Sequence, residues 1–419
     1  MKIILSLLLF TTIISSQNFI DKDKLYSSYV LKENREKFLS SLEYKIKSYF
    51  DVSRITDEKL WLSILEDIEL SNYVPRNLDS IFSNAFTQIN SKSDLFKRRL
   101  IEASYTFYPD KYSNEIFEIY KSSRDQNVKT VAGFYLINSH SISLDTLQFI
   151  NDLKSFSNWE NSPLLYYLVN TLDKKNIQSP SLLELLKHNF NTEKTIVYSL
   201  QRKNREHSGI VAIKSGKGKF VRNNDGSFFA NPHLALSVTN LPGIFRNGNT
   251  PQGIYTLVGT YVSPTETIGP SPNFIMRIPF EKPPSLFYHK KNKYDSWNIE
   301  DYKNILPNNW KDYLPIYESF YAGKFGRKLI VSHGSTDNDK LFINYPTYPI
   351  LPTKGCLSSK EIWDENTGKL IESDQVELIN ALLRSGNTFG YVIVVDIDDQ
   401  EKDVTLEEIE KYLIEAEKN

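Results

Sequence analysis

The chain has one cysteine, Cys356, in the segment Pro352-Thr-Lys-Gly-Cys-Leu-Ser-Ser-Lys-Glu361. One thiol can form neither an intrachain disulfide nor a cysteine-rich metal site. Three roles stay open: a reactive nucleophile, one end of an intermolecular bridge, or an inert buried side chain. Ser358 to Glu361 has the S-x-x-E form of a capping box, which predicts a helix beginning just after the cysteine. The positive end of that helix would favour the thiolate. Gly355 leaves the backbone open, so N–H groups around the cysteine could face a developing oxyanion. Upstream, Arg327-Lys-Leu-Ile-Val-Ser-His333-Gly334 reads as a strand that delivers a histidine to its C-terminal end before a glycine turn. His333 precedes Cys356 by 23 positions, so it would come from a separate element and meet the thiol in space as its base. These features alone fit equally well a small buried cysteine and a strand-end histidine bonded to backbone.

The elements that must position such a pair differ between the two halves of the chain. From about residue 22 to 190 the spacing is helical: Asp57-Glu-Lys-Leu-Trp-Leu-Ser-Ile-Leu-Glu and Ser181-Leu-Leu-Glu-Leu-Leu-Lys repeat apolar residues every three or four positions. Breaks near Pro75, Pro109, Gln126-Asn127 and Gln178-Ser-Pro180 predict helices of moderate length. Asn127–Ser139 reads as one member of a solenoid-like helix pair, although no clean repeat period runs through the region. After about residue 195, β-branched runs take over at Gly209-Ile-Val-Ala-Ile, Leu234-Ala-Leu-Ser-Val-Thr, Gly253-Ile-Tyr-Thr-Leu-Val, Lys328-Leu-Ile-Val-Ser and Tyr391-Val-Ile-Val-Val-Asp. The expectation is a multidomain chain: an all-α domain over 20–192, with a solenoid as one of its options, a mainly β domain with few helices over 195–400, and a charged, solvated helix over 401–419.

Composition sets outer limits. Lys plus Arg number 50 against 51 Asp plus Glu, which leaves no global field for a polyanion, and nucleic acid is not expected as a partner. Six scattered histidines and one cysteine argue against a metal site. The opening MKIILSLLLFTTIISSQNF has a lysine, an apolar run from Ile3 to Ile14 and small residues Ser15 and Ser16, the pattern of a secretory signal over 1–16. That run is shorter than the roughly 20 apolar residues that span a bilayer. Export to a periplasm or cell envelope is therefore expected, with no membrane span after cleavage.

Three segments together resemble the L,D-transpeptidase (YkuD-like) catalytic domain over roughly residues 205–398. They are His333-Gly334, Thr353-Lys354-Gly355-Cys356, and Asn247-Gly-Asn-Thr250-Pro251-Gln-Gly253-Ile-Tyr-Thr, which looks like that family's T-P-x-G-x-[FY] segment. The matches have departures. Nineteen residues separate His333 from Thr353, a slightly long gap; Lys354 stands where many members carry histidine; Ser358 stands where Arg or Asn commonly helps shape the substrate site.

The resemblance implies a cysteine acyltransferase with no cofactor, acting on peptidoglycan stem peptides. Cys356 would attack the carbonyl between a diamino acid and a terminal D-Ala, and His333 would handle the protons. The Gly334 carbonyl would hold the imidazole tautomer, and the N–H groups of Gly355 and Cys356 would bind the oxyanion. An amine acceptor gives a 3→3 cross-link; water gives an L,D-carboxypeptidase. Ser335, Thr336, Thr353, Lys354 and Ser358 are candidate substrate contacts, and Trp310, Tyr345 and Tyr348 candidate lid residues. His140, His188, His207, His233 and His289 read as structural or surface groups. The helical half assembles no catalytic groups in sequence and is expected to be a scaffold, with an envelope protein as a possible partner. The competing class is a non-catalytic wall-binding scaffold.

Overall fold

The computed structural model describes residues 19–50, 55–142, 144–173, 178–190, 193–290 and 296–418. The expected signal segment, 1–16, lies outside them. Helices α1 (Lys32–Tyr49), α2 (Glu58–Ser71), α3 (Leu78–Thr87), α4 (Asp94–Phe107), α5 (Ser113–Ser122), α6 (Gln126–Asn138), α7 (Thr146–Lys154), α8 (Pro163–Asp173) and α9 (Leu182–Lys187) fill the first half. Their starts obey local chemistry: Asp57, Ser93, Asp125, Asp145 and Ser181 each accept a hydrogen bond from a first-turn N–H. Neighbouring helices pack pairwise, α1 on α2, α5 on α6 and α7 on α8.

The second half is a mixed sheet with several helices. Its strands are β1 (Thr195–Arg202), β2 (Gly209–Lys214), β3 (Ala230–His233), β4 (Gly253–Tyr261), β5 (Asn273–Arg277), β6 (Val331–His333), β7 (Leu357–Ser358), β8 (Glu361–Trp363), β9 (Leu370–Ser373) and β10 (Phe389–Asp398). Helices α10 (Pro284–Phe287), α11 (Ile299–Asn304), α12 (Glu318–Lys324), α13 (Asp374–Arg384) and α14 (Leu406–Ala416) complete it. Eight strands form one sheet in the order β3-β2-β1-β10-β4-β5-β6-β7, and β8 pairs with β9 as a separate hairpin. The β1–β10 and β6–β7 pairings are parallel and the others antiparallel.

Both sheet faces are covered, which is why the central strands read as continuous apolar runs. Alternate residues serve different cores. Val197, Val392 and Val394 join a core that continues without a break into the helices of the first half. Ile196, Tyr198, Tyr391, Ile393 and Val395 face a second core with residues of α9, α12 and α14. The texture changes near residue 195, as the sequence indicates, but the hydrophobic core does not stop there. Phe134 of α6 meets Phe245 edge-on at 5.6 Å, and Tyr166 and Tyr167 of α8 lie against Tyr321 of α12.

Two expectations need correction here. The C-terminal helix is not simply solvated: α14 buries Ile409, Leu413 and Ala416 and packs on α9. The leading residues assigned to the helical region instead lie on the β8–β9 hairpin. Ser27 N–H donates to Gly368 O at 2.9 Å, and Ile20 exchanges hydrogen bonds with Asn380 of α13. Among the described residues no helix is long and apolar enough to cross a membrane.

Candidate active site

The edge pair β6 and β7 brings the two sequence-distant candidates together. Their parallel register sets Ser332 opposite Leu357 and His333 opposite Ser358, so Cys356 enters β7 beside the strand that ends in His333. The imidazole and thiol lie close enough for each to shift the other's protonation. Burial opposes the thiolate, but His333, the Val331 N–H and Arg327 outweigh it and hold the thiol below its ordinary range. Burial likewise opposes the imidazolium, and Cys356, the Gly334 carbonyl and Asp337 outweigh it, so His333 is raised. Opposite shifts in two coupled groups favour a thiolate–imidazolium pair. His333 Nδ1 lies 2.5 Å from Gly334 O, which fixes the tautomer with Nε2 free for the thiol. Cys356 is half-buried, with Sγ 3.9 Å from the carbonyl of Leu329.

The turn before Cys356 is built from residues the sequence singles out and one whose role it hides. Thr353 Oγ1 accepts from Gly355 N–H at 3.0 Å and donates to Cys356 O at 2.8 Å, closing a tight turn. Gly355 has φ +97°, and a Cβ there would strike Arg327 Nη2 and Gly248 O, so only glycine fits. Thr250, of the T-P-x-G segment, donates to Gly355 O at 3.1 Å. The three motif segments therefore touch.

Arg327 is the hidden residue. The residue is 5% exposed, and its guanidinium donates to the carbonyls of Gly243, Phe245 and Gly248 and, at 3.4 Å, to Gly355. Glu318 holds the same loop from its N–H side, accepting from Ile244 at 3.1 Å and Gln252 at 2.9 Å.

Several sequence expectations are not met. No helix starts after Cys356. Ser358 N–H pairs with Leu234 O and its Oγ donates to Leu351 O at 2.7 Å, so lateral strand pairing defeats the local capping signal. Ser358 is buried and is not a substrate contact. Thr336 is also buried, its hydroxyl bonded to Glu266 O, and Ser335 Oγ donates to Thr267 O and Asp337. Both hydroxyls fasten the loop after His333 rather than reach a ligand. Gly355 N–H is taken by Thr353 and does not face an oxyanion; the glycine serves by its backbone angle. Trp310 is core, with Nε1 bonded to Ser181 O, and does not line a lid. His233 is buried between Ser199 and Ser332, and His188 bonds Ile305 O, as structural histidines do.

The helical half is not remote from the site. Lys354, two residues before Cys356, pairs with Glu66 of α2, and burial pushes its ammonium down to about 8. Arg35 of α1 donates to Asp337 O at 3.1 Å and lies 3.7 Å from Asp339. In α4, Glu102 is buried with Arg99 and accepts from Asn247 at 2.9 Å, at the head of the T-P-x-G segment. No local pattern marks Glu66, Arg35 or Glu102 for this role, because each acts through tertiary contact.

The Glu66–Lys354 pair is partly exposed and so adds no more than about 1 kcal/mol to stability. Glu66→Ala is therefore expected to leave the unfolding midpoint nearly unchanged. It should speed alkylation of Cys356 by anionic iodoacetate about two- to fivefold, with little effect on neutral iodoacetamide, because a freed Lys354 cation attracts the anion. The ratio of the two rates checks this.

Among the described residues no cluster of three or more His, Cys, Asp or Glu is arranged to hold a metal ion. No family model, curated protein or solved structure matches this chain.

Proposed function

We propose that this protein is an exported L,D-transpeptidase, with the sheet and its edge pair acting as a YkuD-like catalytic domain on peptidoglycan stem peptides. The observation that carries the reading is the juxtaposition, on adjacent parallel strands, of a lowered thiol and a raised imidazole, with the T-P-x-G segment tied to the nucleophile turn.

Such a pair does acyl transfer. The Cys356 thiolate adds to the carbonyl joining the diamino acid to D-Ala, and the electron pair moves onto oxygen. As the tetrahedral centre collapses, the C–N bond breaks and His333 gives its proton to the departing D-Ala amine, leaving a thioester and neutral imidazole. A side-chain amine of a second stem then attacks the thioester and loses a proton to His333. The C–S bond breaks, the thiolate is restored and a 3→3 amide remains. Water in place of the amine releases a tripeptide by the same residues.

The helical layer, which contributes Glu66 beside this turn and Arg35 beside the loop after His333, is assigned to the surroundings of the Cys–His pair rather than to a detached spacer. The test is mass spectrometry of products after incubation with a disaccharide-tetrapeptide, beside Cys356→Ala. A dimer lacking one D-Ala supports the transpeptidase; tripeptide alone makes the enzyme a carboxypeptidase; no product from a folded protein overturns the reading.

A further inference from the structure

Behind the catalytic histidine lies a buried acid that the mechanism above does not use. Glu361 opens β8 and is 6% exposed. One carboxyl oxygen, Oε1, accepts from Ser373 Oγ at 2.8 Å; the other, Oε2, has no hydrogen-bond partner among the described residues. The carboxyl is pressed against Gly334, where a Cβ would overlap its Cδ and Oε2. Gly334 is the residue whose carbonyl holds His333 Nδ1. Neighbouring contacts hold this arrangement on the histidine. Ser359 N–H donates to His333 O at 3.1 Å, Trp363 Nε1 donates to Ser335 O at 3.0 Å, and Gln375 Nε2 donates to Ser332 O at 3.2 Å. Ser271 lies beside the carboxyl and favours its charged form, and Gln375 Oε1 is buried without a hydrogen-bond partner among the described residues.

We propose that Glu361 is a positioning residue for His333, its carboxylate lodged behind the Gly334 turn so as to support the imidazolium of the Cys–His pair. A carboxylate in a buried site stays there at a cost unless a cation answers it, and His333, one residue from the Gly334 it presses on, is the cation whose charge acts on it. Two other charged groups also act on His333: Cys356 from the other side, and Asp337, whose carboxylate accepts from Ser335 and whose charge raises the imidazole, while Lys360 points away to Glu372 and Asp374.

The pH behaviour follows from the sign of the shift. Burial raises Glu361 to about 7, and Ser271, Ser373 and His333 pull against it. Below that pH the acid is neutral and gives the imidazolium nothing; above it the charge appears and holds His333 protonated. Glu361→Gln imitates the neutral acid at every pH. His333 should then lose its proton more easily and the thiol should regain part of its ordinary pKa.

The experiment is the pH–rate profile of iodoacetamide alkylation of Cys356 in wild type, Glu361→Gln and Glu361→Asp, with His333 titrated by NMR. Wild type should alkylate with the lowest midpoint. In Glu361→Gln the midpoint should rise by about one pH unit, cutting the rate below it roughly tenfold, and the His333 pKa should fall. Glu361→Asp, which keeps the charge at shorter reach, should lie between. Superimposed wild-type and Gln profiles overturn the proposal, as does a Gln midpoint equal to that of Asp. No peptidoglycan is needed, so failure here is distinct from failure of the transpeptidase reading.

Discussion

Replacing His333 with alanine is expected to lower kcat/KM on a tetrapeptide substrate by about 10³- to 10⁴-fold, the upper part of what a positioned acid–base contributes. Two losses combine. The leaving amine has no proton donor, and the thiol has no partner to hold it ionised. With His333 gone, burial is the dominant influence left on Cys356, and it favours the neutral thiol. The alkylation midpoint should therefore rise by about one to three pH units, the size of effect that a close opposite charge exerts. The fold should survive, because the imidazole engages Cys356 and its neighbour's carbonyl rather than the core. Alkylation and turnover measured on one preparation separate the effects: strong base during assay restores the thiolate but not the proton donor. An alanine variant that turns over at the wild-type rate contradicts the assignment of His333.

The second large effect is expected at Arg327, and it is structural as well as electrostatic. Arg327→Met removes a buried guanidinium, orphans the carbonyls of Gly243 and Gly248, and leaves Phe245 O and Gly355 O with only their Gly248 N–H and Thr250 donors. Leaving such acceptors unsatisfied costs about 1–3 kcal/mol each, and the loop can relax to recover part of it, so a net loss of about 3–5 kcal/mol is expected. Glu318, buried on the opposite side of the loop, loses a nearby cation as well, which adds to the cost. The unfolding midpoint in urea reports this. Arg327→Lys separates the two roles. Lysine keeps the charge that favours the thiolate, but its ammonium cannot present a planar fork to several carbonyls. It should hold the alkylation midpoint near the wild-type value while losing much of the stability. Equal stability in Arg327→Met and wild type contradicts the role given to this residue.

How far the site was legible in sequence depended on the range of the interaction. Cys356 and His333 stand out because each carries a reactive group beside a glycine. Thr250 and Gly355 belong to short segments whose order along the chain is informative. Arg327 sits at the head of the same histidine segment, yet nothing local shows its guanidinium turning inward to four carbonyls. Glu361 was visible only as the acid of a capping box. That signal failed because Ser358 gained a β-bridge to Leu234 and a lateral neighbour in His333, which a one-turn helix start cannot match. Ser335, Thr336 and Ser358 are the types that bind ligands, but their hydroxyls were already committed to carbonyls.

In the fold, the strongest periodic runs became elements close to where the sequence put them: α2, α6, α9, β2, β4 and β10. Leu234-Ala-Leu-Ser-Val-Thr did not become a strand; it runs beside the nucleophile turn through isolated bridges at Leu234 and Ser237. Ile409, Leu413 and Ala416 carry an apolar stripe at four- and three-residue spacing, which the alternating charge around them obscured. The continuous core between helices and sheet could not be read locally, since each half supplies an apolar surface that only tertiary packing matches.

The most direct measurement is the intact mass of the protein quenched during turnover of a disaccharide-tetrapeptide, followed by digestion to locate any adduct. The account predicts a covalent adduct of the substrate less D-Ala, carried as a base-labile thioester on the peptide containing Cys356 and missing from Cys356→Ala. Turnover without an adduct on that peptide, or an adduct that persists in Cys356→Ala, contradicts it.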